Sequence, residues 1–188
     1  MQIVDFNAGA KPWDNLQPPY LEWDGAGPAR SWTDQATGVS FEIVYGRMFL
    51  SSLPNYPANR WLAFHRTARQ QRVILSILFP SPSTYIRFKL ACDLVGPVIV
   101  RYYGRAAEQD LVDERRPPLS TVFTAVEYDR KCWPVTQVVI SSSDMKNSIA
   151  QVEFGSEEPF GWSKTMCQVS RVAHTLGKSL GGVFGGRR

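Results

Sequence analysis

The sequence predicts an all-β chain, an antiparallel, jelly-roll-like β-sandwich followed by a C-terminal amphipathic α-helix. Three observations predict it. Eight or nine short β-rich segments are separated by turn residues, with no helical period between them. Hydrophobic residues make up 44% of the 188 and aromatic residues 12%, enough to fill one sizeable core. Past residue 160 the apolar spacing changes from two to alternating four and three. The chain therefore divides into a sandwich domain, 1–160, and a helical tail, 161–188.

The first strand falls at Gln2–Phe6. Residues 7–38 are rich in Gly, Pro, Asn, Asp and Trp and read as loop, pinned to the sandwich by Trp13, Tyr20, Trp23 and Trp32. Ser40–Tyr45 and Arg72–Phe79 are the next strands, the second broken by Pro80-Ser-Pro-Ser. In Thr84–Ala91, Ile86, Phe88 and Leu90 share one face while Arg87 and Lys89 take the other, the period of a half-buried strand. Pro97–Tyr103 follows, then a polar loop over Gly104–Pro118. Thr121–Tyr128, Val135–Ser141 and Ile149–Phe154 complete the series. Ile86, Phe88, Leu90, Val98, Val100, Val139 and Phe154 are the expected core.

In the tail, Trp162, Met166, Val169, Ala173, Leu176, Leu180 and Val183 form an apolar seam, with Lys164, Arg171 and Lys178 on the opposite face. Ser163 is a suitable N-cap and Gly181-Gly182 a stop. A helix over 164–180 would be roughly 25 Å long and too weak to stand alone in water. All the acidic residues precede residue 161, whereas the last 28 residues carry five cations and no acid. The net charge of +4 thus belongs to the tail, and does not mark the whole fold as a nucleic-acid binder.

No apolar run is long enough for a transmembrane helix. The N-terminus lacks the basic start and apolar stretch of a signal peptide, which predicts a cytoplasmic protein, or an exported one whose leader has been removed. Cys92, Cys132 and Cys167 are widely spaced and odd in number, so free thiols are expected, with no disulfide framework or zinc knuckle.

Catalytic patterns fail on context. Gly177-Lys-Ser-Leu-Gly181 matches a nucleophile elbow, but sits at a helix end with no strand before it and no acid or His after it. Val172 occupies the position where a phosphate-binding loop needs its first Gly. His65, in W-L-A-F-H-R, has no oxyanion-hole motif beside it and reads as structural, and His174 lies in the tail. Asp110, Asp113 and Glu114 cluster with Arg115 and Arg116 as a self-neutralising turn, not as the facing carboxylates of a glycosidase. Asp5 and Glu153, on terminal strands, are the one candidate pair for a calcium ion, without a third acidic ligand. No cofactor is expected.

Three stretches carry a resemblance: I-L-F-P-S-P-S-T-Y-I-R-F (77–88), V-I-V-R-Y-Y-G (98–104) and V-V-I-S-S-S-D-M-K-N-S-I-A-Q-V-E-F (138–154), with the opening I-V-D-F and P-P-Y-L-E-W. They resemble carbohydrate-binding-module-like, galactose-binding-like β-sandwiches, including bacterial exported domains that precede a PEP-CTERM sorting signal. The resemblance covers about half the chain and rests on packing patterns, so it implies a fold more than a function.

Three non-enzymatic functions fit. The first is a binding or structural module whose basic helix docks on a protein partner, a second copy or a membrane surface, through Trp162, Lys164, Met166, Val169, Arg171, Ala173, Leu176, Lys178 and Leu180. The second is a carbohydrate-binding module that stacks a glycan on loop aromatics, with Trp13, Tyr20, Trp23, Trp32, Tyr56 and Asn59 as candidate residues. In this reading Trp61 plugs the end of the sandwich. The third is a viral or particle shell component, for which five tail cations are few to package nucleic acid.

Overall fold

The computed structural model describes residues 1–6, 21–23, 30–53, 56–66, 70–93, 96–104, 110–130, 132–144 and 146–156, with backbone alone at 21–23, 30, 50, 52–53 and 56–60. Twelve strands follow one another: β1 (Gln2–Val4), β2 (Leu21–Trp23), β3 (Arg30–Thr33), β4 (Ser40–Leu53), β5 (Tyr56–His65), β6 (Val73–Ser83), β7 (Tyr85–Cys92), β8 (Val98–Tyr103), β9 (Leu111–Arg115), β10 (Thr124–Asp129), β11 (Val135–Ser142) and β12 (Lys146–Gly155). All their pairings are antiparallel, in the order β10-β7-β12-β5-β4-β6-β11-β8-β9.

One strand belongs to both layers. The first half of β4 pairs with β6 and β3 in a back sheet, and its second half with β5 and β2 in a front sheet. The corner is Gly46, at φ 115°, where a Cβ would lie 2.6 Å from the His65 carbonyl oxygen and 2.6 Å from Val73 Cγ2. Only glycine meets both demands. On the front sheet, β12 pairs along one edge first with β5 and then with β1.

The period-two reading holds where the pattern is strict. Ile86, Phe88, Leu90, Val98, Val100 and Phe154 are buried between the sheets, and Lys89 is exposed. Val139 is a correction: Val138 and Ile140 point inward, so Val139 between them faces out. The stretch taken as loop over 7–38 contains β2 and β3, and the polar stretch 104–118 contains β9. Pro80 and Pro82 do not end β6. The β4 pairing stops at Leu78, so neither proline removes a ladder bond to that neighbour.

Trp32 is a further correction. It is 8% exposed, stacks on Phe41 with ring centroids 5.4 Å apart, and lies 6.4 Å from Phe6. Its partner across the β3–β4 pair is Phe41, so the ring belongs to the core. Cys92 is a buried free thiol, whereas Cys132, half-buried in the β10–β11 turn, is in a disulfide and corrects the expectation of free thiols. Cys167 lies outside the described residues. So does the expected helix over 161–188, with Trp162, Lys164, Met166, Val169, Arg171, Ala173, Leu176, Lys178 and Leu180.

Candidate functional site

Strand register places three transverse rows of side chains on the outer face of the front sheet. Leu62 and Phe64 are fully buried, so alternation turns Trp61, Ala63 and His65 outward along β5. In the central row Phe49 pairs with Ala63, Ala63 with Ser148, and Ser148 with Ala91. Phe123, just before β10, continues this row, because Thr124 pairs with Leu90. The second row holds Ser51 opposite Trp61, and Ala150 opposite Lys89.

The small residues in these rows let two large rings meet. β5 and β10 are three strand spacings apart, roughly 14 Å. Across that span Trp61 and Phe123 make an edge contact, ring centroids 6.0 Å apart and planes at 65°, over a floor of Ala91, Ser148 and Ala150. Both rings are half-buried, unlike Trp32. Trp61 therefore lies on the outer sheet face and does not plug the end of the sandwich.

The third row is ionic: Glu22 opposite Arg47, Arg47 opposite His65, and His65 opposite Lys146, with the Asp93 amide donating to the Lys146 carbonyl at 3.0 Å. The His65 ring meets Phe49 edge-on at 4.7 Å. Burial, then the neighbouring Arg47 and Lys146 charges, lower the imidazole pKa to about 4, while Asp93 opposes them less strongly. His65 is therefore neutral at pH 7. The side chains of Arg47, Lys146, Lys89 and Arg87 make no hydrogen bond or ion pair among the described residues, and the Nε atoms of Arg47 and Arg87 are buried without an acceptor.

A second cluster closes the sandwich where β9 and β10 end the sheet order. Asp113 bridges Arg115 at 3.1 Å and Arg130 at 3.4 Å, and Glu114 bridges Arg101 at 2.8 Å and Arg116 at 3.6 Å. Beneath them Tyr102 and Tyr128 stack at 4.7 Å, with the Arg115 guanidinium 5.9 Å from the Tyr102 ring centre. Arg115 also donates to the Glu127 carbonyl, and the Tyr128 hydroxyl to the Trp133 carbonyl. Burial pushes both phenols well above the usual tyrosine range. Of the carboxylates expected in a turn, Asp113 and Glu114 thus sit on β9 and tie two sheet edges together, while Asp110 precedes it.

Of the residues proposed from sequence, Trp13 and Tyr20 lie outside the described residues. Trp23, Tyr56 and Asn59 lie on β2 and β5, where the backbone alone is described. β1 does neighbour β12, but it pairs Ile3 with Glu153 and leaves Asp5 just past its end. Among the described residues no three His, Cys, Asp or Glu gather in a group able to hold a metal ion. Sequence reasoning missed Phe49 and Phe123 and misplaced Trp61. The signal was present in W-L-A-F-H, where small Ala63 and polar His65 mark the Trp61 face as the outer one.

The fold and this face together describe a β-sandwich with an aromatic and cationic outer surface. Among solved structures it is similar to carbohydrate-binding modules of family 29. One, from Piromyces equi, aligns at TM-score 0.43 and 8% identity, over 69% of this chain and 87% of its own. Another family 29 module aligns at 0.39 and 16%, over 72% and 86%. A variant complexed with cellulohexaose aligns at 0.39 and 15%, over 72% and 89%. These values describe a likeness in strand layout, and no residue's role follows from it. No protein family and no curated protein matches the sequence. Among the described residues no helix is long and apolar enough to cross a membrane.

Proposed function

We infer that the chain is a non-catalytic carbohydrate-binding module that presents the outer face of its front sheet to a glycan. The observation that carries this reading is the Trp61–Phe123 pair, two half-buried rings in contact on an outer sheet face. A sugar ring offers an apolar face of C–H groups that stacks on such rings, and hydroxyls that need polar partners beside them. Ser51, Ser148 and Lys89 stand in the same two rows and supply hydroxyl and ammonium groups. The sheet holds all of them on paired strands, so little order has to be gained on binding.

Native affinity electrophoresis of the full chain through gels containing soluble polysaccharides, neutral and acidic, tests this reading. The expected result is retardation by at least one polymer, weakened at least tenfold by Trp61→Ala, about 1.4 kcal/mol, with a cooperative melt retained. Absence of retardation by every polymer, or equal retardation of Trp61→Ala and the parent chain, overturns it.

A further inference from the structure

Resting on that reading, we propose that the glycan is acidic: its carboxylate or sulfate sits over the Arg47–His65–Lys146 row while a neighbouring sugar stacks on Trp61 and Phe123. Trp61 and His65 lie on the same face of one strand, four residues and roughly 13 Å apart, so a single extended chain reaches both. Arg47 and Lys146 flank His65 on the two adjacent strands. Neither has an anionic partner among the described residues, and Arg47 keeps a buried Nε donor without an acceptor. A guanidinium without a carboxylate partner is left free to take an anion from outside.

At the β8–β9–β10 seam, by contrast, Arg101, Arg115, Arg116 and Arg130 all find carboxylates. The chain thus pairs its arginines where they close the fold and leaves Arg47 unpaired beside the aromatic rings. The field at His65 agrees: Arg47 and Lys146 each act on the imidazole more strongly than Asp93 opposes them. The acidic residues that register brings to these strands are Glu22, paired directly with Arg47 from β2, Glu127 and Glu153, which flank Arg87, and Asp129, opposite Tyr85. Phe49 against the His65 ring lowers the local polarity and strengthens any ionic contact made there.

The test runs the full chain through gels of polygalacturonate or alginate (carboxylate), dextran sulfate (sulfate ester), and glucomannan (neutral). Retardation by the carboxylate or the sulfate polymer, whichever responds naming the anion, is expected to weaken at least fivefold in Lys146→Gln, in Arg47→Gln and in Trp61→Ala. It should be unchanged in Arg116→Gln at the seam and should fall with rising salt. Lys146 is exposed, so Lys146→Gln decides even if Arg47→Gln fails to fold. Retardation by glucomannan that is sensitive to Trp61→Ala but not to Lys146→Gln overturns the acidic glycan and leaves the module reading standing. Acidic-polymer binding equally sensitive to Arg116→Gln, or insensitive to Trp61→Ala, is charge attraction alone and also overturns it. No retardation by any of the polymers overturns both.

Discussion

The front-sheet face and the β8–β9–β10 seam are built from the same residue types and use them in opposite ways. At the seam, Tyr102 and Tyr128 are fully buried and four arginines are held by two carboxylates. On the face, Trp61 and Phe123 are half-buried, and Arg47, Arg87, Lys89 and Lys146 stand without partners among the described residues. Aromatic and cationic content therefore does not distinguish structure from recognition. What distinguishes them is whether the charges are already paired and whether the ring faces are already covered. The seam joins two sheet edges that would otherwise be open, whereas the face covers nothing else in the described fold.

If the seam is structural, Asp113→Ala has the largest effect. It leaves Arg115 and Arg130 without their shared carboxylate beside a stacked tyrosine pair. A loss of about 2 kcal/mol in urea unfolding is expected, with polysaccharide retardation unchanged. A loss of binding without a loss of stability would move recognition to the seam.

On the face, His65 gives stability a pH dependence. In the unfolded chain the imidazole takes up its proton near 6.5, and in the folded chain at about 4. Between these values the unfolded state binds more protons, so stability falls as the pH drops from about 6.5 toward 4. Urea midpoints measured across that range should shift downward in the parent chain and less steeply in His65→Gln. Equal slopes would show that burial and the Arg47 and Lys146 charges do not hold the ring neutral.

The smallest effect is expected from Tyr102→Phe. The Tyr102 hydroxyl is buried without a hydrogen-bond partner among the described residues, so its removal leaves no partner behind. Stability should change by less than about 1 kcal/mol, toward greater stability. A loss of more than about 2 kcal/mol would mean that the hydroxyl is bonded.

How much of this the sequence disclosed follows the strictness of its patterns. In β7, Ile86, Phe88 and Leu90 alternate with Arg87 and Lys89, and the register was legible because a one-residue slip would bury charge. β5 was not legible, since Tyr56-Pro-Ala-Asn carries turn residues into a strand held by pairing to β4 and β12. β9 was hidden by its charges, two of whose ion pairs reach beyond it, from Glu114 to Arg101 on β8 and from Asp113 to Arg130 just past β10. Nor did anything in the local pattern mark Gly46 as the corner of β4, because its constraint comes from His65 and Val73, distant in sequence. The candidate site suffered in the same way. Trp32 and Trp61 look alike in sequence, and only the cross-strand partners separate them, Phe41 for the first and Ser51 for the second.

The most direct test sets one residue of each region side by side. Full-length parent chain, Trp61→Ala and Asp113→Ala are run through the polysaccharide that retards the parent most, and each is melted in parallel. The account predicts that Trp61→Ala loses at least tenfold in retardation while Asp113→Ala keeps it and loses stability instead. Retardation unaffected by Trp61→Ala but abolished by Asp113→Ala would contradict it.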